Sequence, residues 1–202
     1  MPEIVVFREL LTREFAPYGS LSGQQLDRLE AHYQLLERWN ARMNLTRIRR
    51  IEDVVRLHYC ESLFLGTLLP AGELNIADIG SGAGFPGIPV AILRTESRVA
   101  LVESHQRKAV FLREASQGLS NVRVVSKRAE DIQERFDWIV SRAVSPLEVI
   151  GLDLGPNIAL LIGEEDSKLL PDWKVVAIPW GQGRVAALRF SVKSDVPRGT
   201  ID

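Results

Sequence analysis

The segment NIADIGSGAGFPGIPV, residues 75–90, constrains the fold of this chain more than any other stretch. A short aliphatic run leads into a loop with glycines at positions 80, 82 and 84, and a helical segment follows. Glycine lets a backbone approach a ligand closely because no β-carbon intervenes. Pro86 is expected to start the helix, since proline fits the first helical position. The segment therefore predicts a strand, a ligand-binding loop and a helix of an α/β sheet.

The chain beyond Pro70 alternates short apolar runs with helical segments. Buried strands are predicted at 74–79, 98–103, 122–125, 136–141 and 157–162. The segments PGIPVAILR and HQRKAVFLREASQGL are expected to form crossover helices. This alternation predicts a parallel, doubly wound sheet with ligands at the carboxyl ends of its strands. WKVVAIPW and GRVAALRFSV, joined by Gly-Gln-Gly, predict a terminal antiparallel hairpin.

The first 70 residues have the spacing of amphipathic helices. In SLSGQQLDRLEAHYQLLERWNARMNL the apolar residues recur at gaps of three and four, with Ser20 or Ser22 as candidate N-caps. Asn40 falls on this apolar stripe, so it requires a hydrogen-bond partner. His58 lies on the apolar side of a second helical candidate, and we favour a core histidine with a hydrogen-bond partner over a catalytic one. We expect residues 1–70 to be a helical extension packed on a core of residues 71–193, with a frayed tail at 194–202.

The composition fits a single globular domain. The chain has 202 residues, of which 46% are hydrophobic, enough for one sizeable core. No apolar run approaches the ~20 residues of a membrane helix, and the N-terminus lacks the pattern of a secretory signal. Cys60 is the only cysteine, which excludes an internal disulfide and a cysteine-based zinc cluster. We therefore expect a cytoplasmic protein with no metal site and no membrane contact, and we expect a monomer, which the composition permits.

Positive charge is concentrated locally. The formal net charge is -1, so the overall field does not indicate a nucleic-acid binder. The stretch RWNARMNLTRIRR, however, carries five arginines and no acidic residue, and further basic groups surround Arg107 and Arg128. Such clusters can bind phosphates, because arginine offers a bidentate fork. A solvated basic face is the alternative for each cluster.

The glycine loop permits two cofactors. Read from Gly80, GSGAG is a G-x-G-x-G loop of S-adenosylmethionine-dependent methyltransferases; read from Gly82, GAGFPG is a dinucleotide-binding pattern. Asp78, Glu103 and Glu130 stand at the ends of the first three predicted strands. A carboxylate at Asp78 would repel a pyrophosphate but can help to fix the amino-acid end of S-adenosylmethionine, which carries an ammonium beside the sulfonium. The three acids together favour the methyl donor, although each singly could be a helix cap or a surface ion pair.

With these residues in hand, the chain resembles the bacterial methyltransferases that modify guanine N7 in small-subunit (16S) ribosomal RNA, also called glucose-inhibited division protein B. The resemblance runs from about residue 20 to 190 and rests on motifs in a fixed order. These motifs are WNARMNLT, His58 with Glu61-Ser62, DIGSGAGFPGIP, RKAVFL, RAED and FDWIVSRA. The resemblance implies a seven-stranded class I methyltransferase sheet with S-adenosylmethionine as cofactor, and 16S ribosomal RNA or the small ribosomal subunit as partner.

The resemblance also implies roles for individual residues. The cofactor site would comprise Asp78, Gly80, Gly82, Gly84, Phe85, Glu103, Ala129, Glu130 and Arg142. Glu103 would lie at the ribose, and Phe85 would cover the cofactor. Arg142 would position the acceptor, and no general base is expected because guanine N7 has a free lone pair. The alternative role for Arg142 is a salt bridge with Asp137 or Glu148. RNA contacts are expected from Arg47, Arg49, Arg50 and Arg107.

The chain departs from this family at several positions. Ile162 stands where a lysine is usual, Glu61 and Glu103 stand where aspartate is commoner, and Arg107 stands where lysine is commoner. The segments 144–157 and 163–173 are shorter than usual and are expected to border the acceptor site. A second hypothesis is therefore a diverged protein that binds S-adenosylmethionine and RNA without turnover. The third is a nicotinamide-dependent oxidoreductase.

Overall fold

The structure, a computed structural model, describes residues 2–191, with side chains from residue 6 onward. Its first third is helical, as predicted: α1 Pro2–Phe15, α2 Gly23–Met43, α3 Ile51–Val54, a π-helical segment Val55–Cys60 and α4 Glu61–Leu68. Ser22 caps α2 by accepting a hydrogen bond from Gln25 N, and the Gln25 side chain accepts from Ser22 N in return. Asn44 ends α2 in the left-handed conformation, and its N–H donates to Asn40 O.

The sheet has seven strands in the order β3-β2-β1-β4-β5-β7-β6. Their bounds are β1 Asn75–Ile79, β2 Arg98–Val102, β3 Val122–Val125, β4 Trp138–Arg142, β5 Asn157–Gly163, β6 Lys174–Ala177 and β7 Arg184–Arg189. The first five strands are parallel, while β7 runs antiparallel to both β5 and β6. The predicted doubly wound sheet and its antiparallel hairpin are therefore confirmed.

The remaining helices connect the strands: α5 Gly87–Leu93, α6 Gln106–Ala115, a 3₁₀ turn Ala129–Asp131, α7 Pro146–Gly151 and α8 Glu164–Ser167. Two hydrophobic clusters form the core. One joins the N-terminal helices, α5 and α6 to one face of the sheet, and Leu36, Ile88 and Phe111 belong to it. The other lies on the opposite face, and its members include Val149 of α7 and Leu170.

This topology places a crevice at the carboxyl edge of the sheet, because the strand order reverses between β1 and β4. The division at residue 70 remains a prediction, since the helices before it share one cluster with the sheet. The predicted tail, 194–202, and the end of the core at 193 lie outside the described residues. Among residues 2–191, no helix has both the length and the apolarity to cross a membrane, and no three acidic, histidine or cysteine side chains form a metal-binding group.

Candidate functional site

The glycine loop after β1 is built on the buried carboxylate of Asp78. Its Oδ2 accepts hydrogen bonds from Ser81 Oγ at 2.6 Å and from Gly87 N at 3.0 Å. A β-carbon on Gly87 would lie 2.5 Å from the same oxygen, so only glycine fits there. Asp78 is fully buried, and this burial raises the pKa of its carboxyl to about 6. Asp78 thus shapes the loop from below, while its Oδ1 has no hydrogen-bond partner among the described residues.

All three loop glycines have positive φ angles, 70° at Gly80, 57° at Gly82 and 86° at Gly84. A β-carbon on Gly84 would also meet the Ile88 side chain at 2.5 Å. Side chains at these positions would be strained, because L-residues rarely adopt positive φ. The loop therefore presents bare backbone at the carboxyl end of β1. Pro86 directly precedes the first residue of α5, close to its predicted place.

Glu103 joins the end of β2 to this loop. Its Oε2 accepts from Gly82 N at 3.0 Å and its Oε1 accepts from His105 N at 2.8 Å. The loop N–H that a pyrophosphate would need is therefore already committed to a carboxylate. A second anion beside Glu103 and Asp78 would be repelled. These contacts disfavour a dinucleotide and suit a ligand that carries positive charge.

The segment after β3 reaches the same edge. Ala129 and Glu130 lie in the 3₁₀ turn, where Ala129 is partly buried against the second cluster and Glu130 is exposed. The structure thus brings Asp78, Glu103 and Glu130 to the ends of three neighbouring strands. Their contacts with a ligand remain predictions.

The N-terminal helices hold the loop from the other side. His32 Nε2 lies 3.0 Å from Ala83 O, which only accepts, so Nε2 is the donor and Nδ1 accepts from the Tyr59 hydroxyl at 3.0 Å. Burial lowers the pKa of His32 to about 4, which keeps the ring neutral. The sequence analysis missed His32, although its spacing from Leu29 and Leu36 places it on the buried side of α2.

Phe85 is buried in this aromatic group. Its ring stacks on His58 with the centroids 4.7 Å apart, and it meets the rings of His32 and Tyr59 edge-on. The Arg142 guanidinium carbon lies 5.0 Å from the Phe85 ring centroid, a cation–π contact. The predicted contact between Phe85 and a cofactor remains a prediction, since the ring also has this packing role.

Arg142 borders a cavity of about 590 Å³ beyond the end of β4. Its Nη1 donates to Leu57 O and to His58 Nδ1, both at 2.8 Å. Neither Asp137 nor Glu148 forms an ion pair with it among the described residues, so the alternative of a salt bridge is not realised. Burial lowers the pKa of Arg142 to about 10, and the guanidinium remains charged at neutral pH.

Both short segments line this cavity. Leu147 comes from segment 144–157, and Asp166 and Leu169 come from segment 163–173. Ile162, in the place of the usual lysine, lines it as well and is 6% exposed. The two leucines are largely exposed, so the cavity is open on this side, and its wall here is apolar apart from Asp166.

An ion pair supports the floor of the cavity. Glu61 is completely buried and receives two hydrogen bonds from Arg184, Nε to Oε1 at 2.7 Å and Nη2 to Oε2 at 2.8 Å. This bidentate geometry is the strong form of a carboxylate–guanidinium pair. Arg184 also lines the cavity, and the sequence analysis missed it because nothing in the β7 pattern distinguishes it from a surface arginine.

The predicted RNA contacts lie on the surface around this edge. Arg47, Arg49 and Arg50 are exposed in the segment between α2 and α3. Arg107 is exposed in the first turn of α6 and lines a second groove of about 670 Å³. Other residues of this groove are Arg38, Trp39, Arg42 and Glu114. A basic groove with an indole suits a nucleic-acid strand, because the indole can stack on a base.

Comparison with known proteins agrees with this geometry. Residues 25–154 match the family model GidB, described as rRNA small subunit methyltransferase G. The ribosomal RNA small subunit methyltransferase G of Nitrosospira multiformis is 44% identical over 133 residues, which cover 63% of this chain and 60% of that protein. The protein of that name from Dichelobacter nodosus is 41% identical over 150 residues, covering 72% and 71%.

The chain thus spans about 60% of the length of the Nitrosospira relative. Among solved structures, a SAM-dependent methyltransferase from Aquifex aeolicus has a TM-score of 0.52 and 18% identity, covering 67% of this chain and 92% of that one. This likeness supports the fold. The family model and the Dichelobacter nodosus relative show that the chain belongs to the rRNA small subunit methyltransferase G (GidB) family.

Proposed function

We propose that the chain is an S-adenosylmethionine-dependent methyltransferase that acts on N7 of a guanine in small-subunit (16S) ribosomal RNA. The observation that carries this proposal is the crevice at the β1–β4 switch point. There, a glycine loop tied to two carboxylates lies next to a cavity that Arg142 borders. The family's name supplies the RNA substrate, and the exposed arginines around the crevice support it.

The residues at the strand ends fit this cofactor. Glu103 can accept hydrogen bonds from ribose hydroxyls, because each carboxylate oxygen keeps a free lone pair beyond its backbone bond. The negative charge of Asp78 suits an ammonium and a sulfonium. We assign Gly80, Gly82 and Gly84 to close backbone approach, and Ala129 and Glu130 to the adenine. When bound, S-adenosylmethionine supplies an electrophilic methyl group on its sulfonium.

The chain's own residues then have to position the acceptor and exclude water. Guanine N7 carries a free lone pair, so no side chain needs to remove a proton. His58, whose ring stacks on Phe85, contributes to the lining of the cavity. Arg142 can donate to guanine O6 or to a phosphate, whereas a donor aimed at N7 would block the attacking lone pair. We therefore assign Arg142 a positioning role.

RNA binding is assigned to Arg47, Arg49, Arg50 and Arg107, whose charges face solvent at the carboxyl edge. Such contacts give salt-dependent affinity through counterion release. We further propose a cytoplasmic monomer, with residues 71–193 as the methyltransferase core and 1–70 as an extension that holds the glycine loop and Arg142.

Cofactor binding is tested by calorimetry. The wild-type protein should bind S-adenosylmethionine and not NADH. Glu103→Gln should weaken binding about tenfold or more, because charged hydrogen bonds to the ribose are lost. Glu73→Gln, at the opposite edge of the sheet, is the matched control and should leave the affinity unchanged. Binding of NADH in place of S-adenosylmethionine would refute the proposal.

Turnover is tested with labelled donor on small ribosomal subunits and on naked 16S RNA. Transfer to either substrate supports the proposal. Cofactor binding without transfer would instead favour a protein that binds S-adenosylmethionine and RNA without turnover. Ile162 and the two short segments at the cavity are the observations that favour this second candidate.

A further inference from the structure

Arg142 is held by two acceptors from the π-helical segment Val55–Cys60. Leu57 O and His58 Nδ1 each lie 2.8 Å from Nη1, which carries two hydrogens and so can donate one to each. Every hydrogen bond between the guanidinium and the described residues runs through Nη1. Its Nε and Nη2 donors are therefore available to a ligand in the cavity that Arg142 lines.

This contact fixes the tautomer of His58. A guanidinium can only donate, so Nδ1 must be the acceptor and the ring proton must sit on Nε2. Nε2 lies 2.8 Å from Thr46 Oγ1, which accepts this proton and also accepts from Ile48 N at 3.1 Å. Burial, and then the charge of Arg142, lower the pKa of His58 to about 2, so the ring is neutral.

The segment before α3 sets the position of Thr46. Asn40, a buried polar residue near the end of α2, accepts a hydrogen bond from Thr46 N at 3.0 Å through its Oδ1. Asn44 turns the chain in its left-handed conformation between these two residues. A chain of hydrogen bonds therefore runs from α2 through Thr46 and His58 to Arg142, across 102 positions of sequence between Asn40 and Arg142.

We propose that His58 is a positioning residue, which orients Arg142 so that its free donors meet an acceptor oxygen of the RNA nucleotide in the cavity. This inference rests on the proposed function. His58 itself does not touch the reacting atoms, because both of its ring nitrogens are occupied by protein partners. Phe85 completes the arrangement, since its ring packs against both the imidazole and the guanidinium.

The tautomer is tested first, on the complete chain without RNA. Long-range ¹H–¹⁵N correlation spectra of the imidazole rings distinguish a protonated from an unprotonated nitrogen. His58 should show the neutral form with its proton on Nε2, unchanged between pH 5 and 8. The exposed ring of His105 provides a reference signal in the same spectra. A proton on Nδ1, or titration of His58 within this range, would overturn the proposal.

The positioning role is tested with two substitutions of His58. His58→Leu removes the acceptor for Arg142 and should lower methyl transfer about tenfold or more, since misplacing a catalytic group by about 1 Å can have larger effects. His58→Asn keeps an acceptor near the position of Nδ1 and should restore most of the activity. The affinity for S-adenosylmethionine should change less than twofold in both. Equal losses in the two variants would contradict the role.

A double-mutant cycle with Arg142→Ala separates positioning from stability. If His58 acts only through Arg142, the double variant should be no less active than Arg142→Ala alone. Multiplicative losses would overturn the proposal. If His58→Leu does not fold, Thr46→Val replaces it, because this change removes the acceptor of the Nε2 proton and so loosens the orientation of the ring. Thr46→Val should lower transfer while His58 keeps its proton on Nε2 through the contact with Arg142, and wild-type transfer would count against the inference.

Failure of the two proposals is distinguishable. A wild-type protein that binds the cofactor but methylates no RNA would refute the proposed function, and with it the positioning of Arg142 for that reaction. An active wild-type protein whose His58 and Arg142 losses multiply would refute the role of His58 alone.

Discussion

The buried carboxylate of Asp78 should give the protein a distinct dependence of stability on pH. Burial outweighs the hydrogen bonds from Ser81 and Gly87, so the pKa of Asp78 is raised from 3.8 to about 6. Folding therefore favours the protonated form. Its stabilising effect is fully present below pH 3.8 and is lost as the pH rises through 6. This displacement corresponds to about 3 kcal/mol in the free energy of unfolding.

Asp78→Asn is the perturbation that isolates this effect. The amide oxygen can still accept from Ser81 and Gly87, but the group no longer titrates. The free energy of unfolding of both proteins is measured by urea denaturation from pH 4 to 7.5. Over this range the value for the wild-type protein should fall by about 2 kcal/mol relative to that of the variant. This is less than the full effect of about 3 kcal/mol, because part of the stabilisation is already lost below pH 4. Other titrating groups, such as His32, are common to both proteins and cancel in the difference.

Two other dependences on pH would contradict this expectation. If the free energy of unfolding of the wild-type protein minus that of Asp78→Asn stays constant across this range, Asp78 titrates at its ordinary pKa and is hydrated. If this difference increases with pH, positive charge stabilises the carboxylate in the folded protein, as in an ion pair. Either outcome would refute the conclusion that burial raises the pKa of Asp78 beneath the glycine loop.

Three further predictions follow from packing and charge. Arg184→Met should lower the free energy of unfolding by about 3 kcal/mol, and by more than Glu61→Gln, because it leaves a fully buried carboxylate without a partner; urea denaturation that gives the reverse order would contradict this. Gly87→Ala should lower the free energy of unfolding by about 2 kcal/mol or more, since its β-carbon would lie 2.4 Å from a Leu101 methyl. Gly151→Ala, whose β-carbon would meet open space, should change it by less than about 0.5 kcal/mol. Equal shifts in melting temperature for the two variants would contradict the predicted clash at Gly87. Arg107→Glu should weaken RNA binding and leave the cofactor affinity unchanged. In filter-binding titrations, the slope of the logarithm of RNA affinity against the logarithm of salt concentration should become smaller in magnitude by about 1 or more. An unaltered slope would show that Arg107 does not contact the RNA.

Much of this architecture could be predicted from sequence, because it depends on local patterns. The parallel strands are short β-branched and aliphatic runs, and their positions differ from the predicted ones by at most two residues at either end. The glycine loop can be recognised in the sequence because its backbone conformation requires glycine at several positions. Asp78 and Glu103 are found at strand ends because the alternation of strands and helices fixes which end each occupies.

The contacts within the site could not be predicted in the same way. The sequence shows that Asn40 needs a partner, but the partner is the backbone of Thr46, reached through a left-handed residue at Asn44. The π-helical segment interrupts a regular amphipathic pattern without a sequence signal of its own. The contact between His58 and Arg142 joins residues 84 positions apart, and only the packed sheet and helices bring them together.

Ile162 illustrates a further limit. A missing lysine is visible in the sequence, but the apolar wall that it forms with Leu147 and Leu169 becomes visible only once both short segments fold over the cavity. This wall suits the flat face of a base, while the arginines proposed to bind phosphates, Arg47 and Arg107, are exposed. Discrimination of the base and affinity for the backbone are thereby assigned to separate residues.

The crevice between β1 and β4 is proposed to present a methyl donor to N7 of a guanine. The most direct test incubates the purified protein and S-adenosylmethionine with small subunits that lack the modification, followed by borohydride and aniline cleavage and primer extension. One new cleavage site is expected at a guanine, absent without the cofactor and strongly reduced with Arg142→Ala. Cofactor binding together with an unchanged cleavage pattern, or methylation at another atom of the base, would contradict it.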